Sequence, residues 1–117
     1  MTNQELWDAN WQWFIVKGRK RSVGPNGQCL YRGPRGTKCG IGIVIPDDLY
    51  RKGMEGMAIE DNCANYPEVS VFLAGVDPTF AVLIQKAHDD ARNKEDQKRR
   101  LLTLAENYDL TLPEGIS

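Results

Sequence analysis

Residues 77–93 read DPTFAVLIQKAHDDARN, and this stretch decides the fold class that the chain predicts. Asp77 followed by Pro78 is typical of a helix start, because aspartate caps the first free amides and proline fits the first turn. Apolar side chains then recur at helical spacing, at Phe80, Leu83, Ile84, Ala87 and Ala91. We therefore predict a helix over residues 78 to about 92 with one apolar face.

One further helix is predicted on each side of this one. Thr2 and Glu5 form a capping box in front of a periodic apolar run, which indicates a helix over residues 3–17. Asn93 can cap a last helix with an apolar face and a charged face. Its inward side chains are predicted to be Leu101, Leu104, Ala105 and Tyr108, and its solvent face to carry the pairs Glu95–Arg99 and Asp96–Arg100.

Residues 28–48, QCLYRGPRGTKCGIGIVIPDD, are expected to hold a short hairpin. Two short segments flank GPRG, so a hairpin closing at residues 34–36 is predicted. Residues 39–45 fit either a buried strand or a helical turn, and residues 46–53 have the end signals of a short helix. Residues 54–67 fit a loop or a broken helix, and residues 68–75 form a short apolar element whose type the sequence leaves open. The predicted class is α+β, a mainly helical single domain over residues 1–117 with one short β-hairpin.

Composition narrows the class of protein. With 117 residues, 41% hydrophobic and 26% charged, the chain suits one globular domain. The net charge of -1 is not that of a strongly acidic or strongly basic protein. The polar start does not resemble a signal peptide, and no apolar run reaches the ~20 residues of a membrane span. Three cysteines without such a signal indicate free thiols in a reducing cytoplasm.

The charges are unevenly distributed. Residues 1–40 hold seven basic and two acidic side chains, whereas residues 41–80 hold two basic and seven acidic ones. The basic side chains form two runs: Lys17, Arg19, Lys20 and Arg21, then Arg32, Arg35 and Lys38. Trp13 and Tyr31 are possible stacking partners for a nucleic acid there. The same runs also fit a solvated face or a protein-binding face, and GPRG lacks the spacing of a phosphate-binding loop.

The sequence contains residues for two possible chemical sites. Cys29, Cys39, Cys63 and His88 could supply four zinc ligands, but gaps of nine, twenty-three and twenty-four residues are unlike the close ligand pairs of zinc sites. We predict no metal and no other cofactor.

The second chemical site is a thiol nucleophile, Cys39 or Cys29, beside His88, with Asp89 or Asp90 to orient the imidazole. The set expected of an enzyme is Cys39, His88 and Asp89. The alternative is a structural His88 that lies at the edge of the apolar stripe and holds the hairpin segment onto the helix. We favour the structural role, and an enzyme remains the second hypothesis.

The block CLYRGPRGTKCGIGIVIPD, with MEG at 54–56 and the His88–Asp89 pair, resembles a family of small proteins from tailed bacteriophages and prophages. The resemblance extends over most of residues 5–110, and residues 28–56 are its specific part. Gly40 and Val44 depart from the family's alanine and leucine. The resemblance implies a phage origin, the host-cell cytoplasm and no particular activity. It adds Asp47 and Glu55 to the residues of interest.

These observations together predict a non-enzymatic phage accessory protein that binds and inhibits or redirects a host macromolecule, in host takeover or anti-defence. A host protein is the expected partner, nucleic acid is the alternative, and no membrane partner is expected. The predicted binding residues are Arg19, Arg21, Tyr31, Arg32, Arg35, Lys38, Asp47 and Glu55.

Overall fold

Five α-helices carry most of the regular structure. A computed structural model describes residues 1–116 of the chain. The helices are α1 (Asn3–Asn10), α2 (Ile59–Asn65), α3 (Pro67–Phe72), α4 (Pro78–Asp89) and α5 (Lys94–Asn107). A π-helical segment, Trp11–Val16, continues α1, and short 3-10 turns lie at Pro34–Gly36 and Lys52–Met54.

The three predicted helices are confirmed, and their caps form as the sequence indicates. Thr2 Oγ1 accepts the Glu5 amide at 3.1 Å, while Glu5 Oε1 accepts the Thr2 amide at 3.0 Å. Asp77 Oδ1 accepts the Thr79 amide at 2.8 Å, which starts α4. Asn93 Oδ1 likewise accepts an amide in the first turn of α5. Each cap satisfies amides that have no partner within the helix.

The core lies between α1 with its π-helical segment, α4 and α5. Trp7 and Trp11 stack with ring centroids 5.2 Å apart, and the Trp7 indole donates to the Leu101 carbonyl at 2.7 Å. Ile84 of α4 is fully buried beside them in the same cluster. None of the helices within residues 1–116 combines the length and the apolar character that crossing a membrane requires.

The predicted β-hairpin is wrong. In residues 1–116 the region contains two isolated antiparallel bridges, Val23 with Cys29 and Arg32 with Lys38, and no sheet. The tight turn at residues 34–36 does form, but the amides of Tyr31 and Arg32, just before the turn, do not bond to a partner strand. The Glu55 carboxylate accepts the Tyr31 amide at 2.8 Å and the Arg32 amide at 3.0 Å. A side chain distant in sequence therefore replaces the partner strand.

Residues 39–45, whose structure the sequence left open, form successive turns. The Ile43 amide bonds the Cys39 carbonyl at 3.1 Å, and the Val44 amide bonds the Ile41 carbonyl at 3.1 Å. Gly42 is required here, because a Cβ atom would lie 2.2 Å from the Tyr31 carbonyl oxygen. The segment folds tightly against the loop that precedes it.

The predicted short helix over residues 46–53 is also wrong. One turn forms after Pro46, but the chain is extended at Arg51 before the 3-10 turn begins. The Tyr50 hydroxyl donates to Glu55 Oε2 at 2.7 Å, and this contact holds the chain out of a helical path.

The charged face of α5 differs from the prediction at Asp96. The Asp96–Arg100 pair forms, with Nε 3.2 Å from Oδ2, but the Asp96 side chain is only 4% exposed. Arg99 bonds the same carboxylate and does not pair with Glu95. Asp96 also accepts the Arg92 amide at 3.0 Å, so it joins α5 to the segment that precedes it.

We expect Glu55→Gln to destabilise the fold by about 1.5–3 kcal/mol, the usual worth of hydrogen bonds to a charged group. Glutamine keeps the size of the side chain, but its amide nitrogen would face a backbone N–H that needs an acceptor. Urea denaturation measures the change in the free energy of unfolding. Glu106→Gln, at an exposed position of α5, is the matched control, and a Glu55 effect no larger than this control's would contradict the assignment.

Acid should weaken the fold in part through Asp96. The Arg92 amide, followed by the guanidinium groups of Arg100 and Arg99, holds the pKa of this carboxyl well below its ordinary value of 3.8. Because the folded pKa is the lower one, the stabilisation is complete above the ordinary value and is lost as pH falls through the folded pKa. Unfolding of wild type and Asp96→Asn across pH should show a constant difference near neutrality that shrinks below about pH 4. A difference independent of pH would refute this.

Candidate functional site

Half of the predicted binding residues belong to a network that fastens the loop regions together: Tyr31, Arg32, Asp47 and Glu55. Arg32 is its centre. Its Nη1 donates to Asp47 Oδ1 at 2.6 Å and its Nη2 to the Ile45 carbonyl at 2.7 Å. Its guanidinium carbon lies 4.8 Å from the centroid of the Tyr50 ring. The guanidinium also lowers the pKa of Asp47. These groups are engaged with one another, so their role here is structural support.

His88 is part of the support as well. Its side chain is fully buried, its Nε2 lies 3.0 Å from the Ser22 amide nitrogen, and its Nδ1 lies 2.8 Å from Asp89 Oδ1. Since the amide can only donate, Nε2 must be the acceptor, and we assign the imidazole proton to Nδ1. The neutral ring therefore fixes Ser22 against α4. The segment held is residue 22 and its neighbours, rather than the predicted hairpin.

The structure does not bring together Cys29, Cys39, Cys63 and His88, the four residues that the sequence offers, but does not favour, as zinc ligands. Within residues 1–116 the one group with close ligand atoms is Cys29, His88 and Asp89, whose atoms lie within 4.8 Å of one another. Cys39 instead accepts the Gly42 amide through its sulfur at 3.2 Å. A metal on His88 Nδ1 would require a proton on Nε2, which would then face the Ser22 N–H. The donor set therefore fits a metal poorly.

The thiols are not activated as nucleophiles. Burial raises the pKa of Cys29 to about 12, and the neighbouring Asp89 carboxylate adds to the effect. Burial likewise raises the pKa of Cys39 to about 11. Nucleophilic cysteines have the opposite shift, because the thiolate is the reactive form. Cys29, rather than the predicted Cys39, lies beside His88 and Asp89, and neither thiol is poised for chemistry.

The basic side chains gather at a cleft of about 460 Å³ between the end of the first helix and the 34–37 turn. We call it the basic cleft. Its charged lining residues are Lys17, Arg19, Lys20, Arg21 and Arg35, and no acidic side chain lines it. None of these five makes a salt bridge within residues 1–116. A second cleft, of about 530 Å³, carries both signs of charge through Glu60, Lys86 and Asp89.

Trp13 lies at the centre of the basic cleft. Its half-buried ring has three cations nearby, with Arg19 Cζ 5.3 Å, Lys38 Nζ 5.7 Å and Lys17 Nζ 5.8 Å from the ring centroid. Its indole nitrogen is shielded from solvent and has no hydrogen-bond partner within residues 1–116. Trp13 belongs to the π-helical segment, a type of turn that is frequent at functional sites.

Arg35 reaches the cleft from a strained backbone. It has φ +59° between Pro34 and Gly36, in the left-handed region where side chains are unfavourable. Glycine or asparagine would suit this position better, so the turn alone does not explain an arginine there. The residue places a charge on the cleft at a cost in conformational energy.

Residues 21–23 form one wall of the basic cleft, and hydrogen bonds to α4 hold this wall in place. Arg21 Nη1 donates to the His88 carbonyl at 3.1 Å, next to the Ser22 contact with the His88 ring. The buried His88 thus holds the segment that carries several of the cleft's cations. His88 positions the segment, and the charges on that segment face the cleft.

Some of the residues predicted for binding lie at this cleft. Arg19, Arg21, Arg35 and Lys38 lie at or beside the basic cleft, as a joint site for the two basic runs requires. Lys17 and Lys20 of the first basic run also line it, although the predicted binding residues do not include them. In the sequence, the cleft is indicated by a tryptophan just before a dense basic run. This pattern does not show which distant segment packs next to the Trp13 ring.

Comparison with known proteins names no family. None of the protein-family models matches the chain, and no curated protein or solved structure matches it. The assignment of the candidate site therefore depends on the contacts and charges described above. The resemblance of residues 28–56 to phage proteins remains an expectation from the sequence.

We expect all three cysteines of the native protein to react slowly with a thiol reagent at neutral pH. Burial raises the pKa of each thiol, so little thiolate is present. The rate is measured by colorimetric titration with and without denaturant, and the unfolded chain, in which all three thiols are accessible, is the control. Rapid labelling of Cys29 or Cys39 in the folded protein would contradict this and favour the enzyme hypothesis.

Proposed function

We propose that the protein is a non-enzymatic accessory protein that binds an anionic host macromolecule through the basic cleft and so inhibits or redirects it. The single observation that supports this is the unbalanced charge of the cleft, which five basic and no acidic side chains line. Like charges held close together repel one another, and an anionic partner relieves that repulsion.

The distribution of hydrogen bonds supports binding over catalysis. The residues capable of acid–base or nucleophilic chemistry are Cys29, His88 and Asp89. They are buried or hydrogen-bonded to one another, and they support the loops packed against α4. Of the five basic side chains that line the cleft, only Arg21 makes a hydrogen bond within residues 1–116, to the His88 carbonyl, so the other four are available for a partner. A charged surface of this kind steers association and selects the partner through complementary potential.

The phage origin expected from residues 28–56 places this activity in the host cytoplasm. The free thiols Cys29, Cys39 and Cys63 are compatible with that reducing compartment. The acidic side chains concentrated in residues 41–80 leave the molecule dipolar along its sequence. We expect the basic part to make the contact with the anionic partner.

Charge reversal tests the proposal, and the chain supplies a matched control. Arg19–Lys20 and Arg51–Lys52 are both consecutive exposed Arg–Lys pairs, but only the first lines the basic cleft. Immobilised wild type, Arg19→Glu/Lys20→Glu and Arg51→Glu/Lys52→Glu are incubated with bacterial lysate, with and without nuclease treatment. The cleft variant should retain at least about tenfold less of the partner than wild type, since about 1.4 kcal/mol of lost attraction suffices.

The control variant should behave as wild type does. Equal retention by the wild type and the cleft variant would overturn the proposal, as would a wild type that retains nothing above the level of bare resin. Circular dichroism of each variant checks that the helices are intact.

A further inference from the structure

We propose that the basic cleft binds phosphate groups adjacent to an unstacked base, as found in a single nucleic-acid strand or a free nucleotide, with the base against Trp13. This inference rests on the proposed function, since it takes the basic cleft as the binding surface. It goes further because it names the chemistry that the cleft recognises. A protein partner, the expectation from the sequence, becomes an alternative outcome of the test.

The kind of charge favours phosphate over an acidic protein surface. Protein interfaces are depleted of charge at their centre, and lysine in particular is rare there. The basic cleft instead brings Lys17 and Lys20 together with three arginines, and Lys38 lies beside the Trp13 ring. Interfaces with nucleic acid are much more positively charged than those with protein. The closely spaced phosphates of a strand can meet several of these cations at once.

The position of Trp13 favours a base as the second group. Aromatic side chains within a basic groove serve as stacking surfaces for bases, whatever the sequence. Lys17, Arg19 and Lys38 lie over the Trp13 ring, 5.3–5.8 Å from its centroid, so a base that takes the place of one of them would have its phosphates within reach of the others. The unpartnered indole nitrogen of Trp13 can also donate a hydrogen bond to such a ligand after a small shift.

The shape of the cleft favours a strand or nucleotide over a duplex. A volume of about 460 Å³ lies within the range of small-molecule sites. A duplex keeps its bases stacked inside, so only an unpaired base can reach a recessed aromatic ring. The cations come from two separate segments, residues 17–21 and residue 35, which face the ligand from both sides.

The strained Arg35 supports the same inference. A non-glycine residue at φ +59° lowers stability, and such strain concentrates at functional positions. Arg35→Gly should therefore leave the melting temperature unchanged or raise it while it weakens binding. This variant separates a role in binding from a role in folding.

Trp13 fluorescence provides the assay. Trp7 and Trp11 are 0% and 3% exposed, so quenching by a bound base reports on Trp13. The protein is titrated with oligothymidylates of increasing length, ATP, a DNA duplex and polyglutamate at equal charge. We expect the oligothymidylate or ATP to bind more tightly than duplex and polyglutamate. Affinity that rises with strand length identifies a strand as the ligand, whereas equal affinity for ATP identifies the free nucleotide.

Substitutions test the two halves of the recognition separately. Because Trp13→Ala lacks the fluorescent reporter, its binding is measured by the anisotropy of a dye-labelled oligothymidylate. This substitution should weaken strand binding about five- to 150-fold, the usual effect of one stacked base, with the salt dependence unchanged. Arg19→Glu/Lys20→Glu should instead reduce the salt slope, which is about -0.7 for each phosphate contacted by a single strand. Arg51→Glu/Lys52→Glu should leave both quantities as in wild type.

The proposal is wrong if polyglutamate or duplex binds as tightly as the strand, or if Trp13→Ala and Arg35→Gly bind as wild type does. It is also wrong if neither strand nor nucleotide binds at roughly 50 mM salt, where phosphate contacts are strong. If in that case the Arg19→Glu/Lys20→Glu variant still loses a nuclease-resistant partner from lysate, the proposed function stands and the partner is a protein. If it loses no partner, both proposals fail.

Discussion

The Glu55 carboxylate is the contact on which the non-helical half of the molecule depends. It accepts the amides of Tyr31 and Arg32 and the hydroxyl of Tyr50, so two separate segments of the chain meet at one side chain. Residues 19–58 contain no sheet that could satisfy their backbone groups. Side chains take over that role, with Gln85 Oε1 accepting the Ile41 amide at 2.9 Å as a further example. The loops are thus held by specific polar contacts with the rest of the molecule.

The sequence predicted α1, α4 and α5 because their start signals are local, but it did not predict α2 and α3, which have no side-chain cap at their starts. Thr2, Asp77 and Asn93 act within three residues of the amides they cap, and a short window of sequence shows them. The hairpin failed because its strand-like pattern was real but its hydrogen-bond acceptor was Glu55, more than twenty residues away. A pattern among neighbouring residues cannot show a hydrogen-bond acceptor that lies far away in the sequence. The same reason limits the site, since the approach of Lys38 to Trp13 joins segments that only the fold brings together.

The residues that the family resemblance emphasised and those that line the basic cleft have different roles. Arg32, Glu55 and His88 are engaged in internal hydrogen bonds, and they shape and hold the loops. Arg19 and Arg35 have no such partners within residues 1–116, and both line the cleft. The motif, although rich in chemically capable residues, makes many internal contacts. Its density reflects the number of contacts needed to fold a long loop without a sheet.

The contact between Ser22 and His88 joins residues 66 positions apart. Closing such a loop is entropically costly, so we expect this contact to form after α4 has formed and docked on α1. We therefore expect the wall of the basic cleft to assemble late in folding, after the helical core. By the same argument it opens at a lower free energy than the core does, as a separate cooperative unit. Amides of residues 19–24 should exchange their hydrogens with solvent well before those of α4, and a ligand in the cleft should slow that exchange.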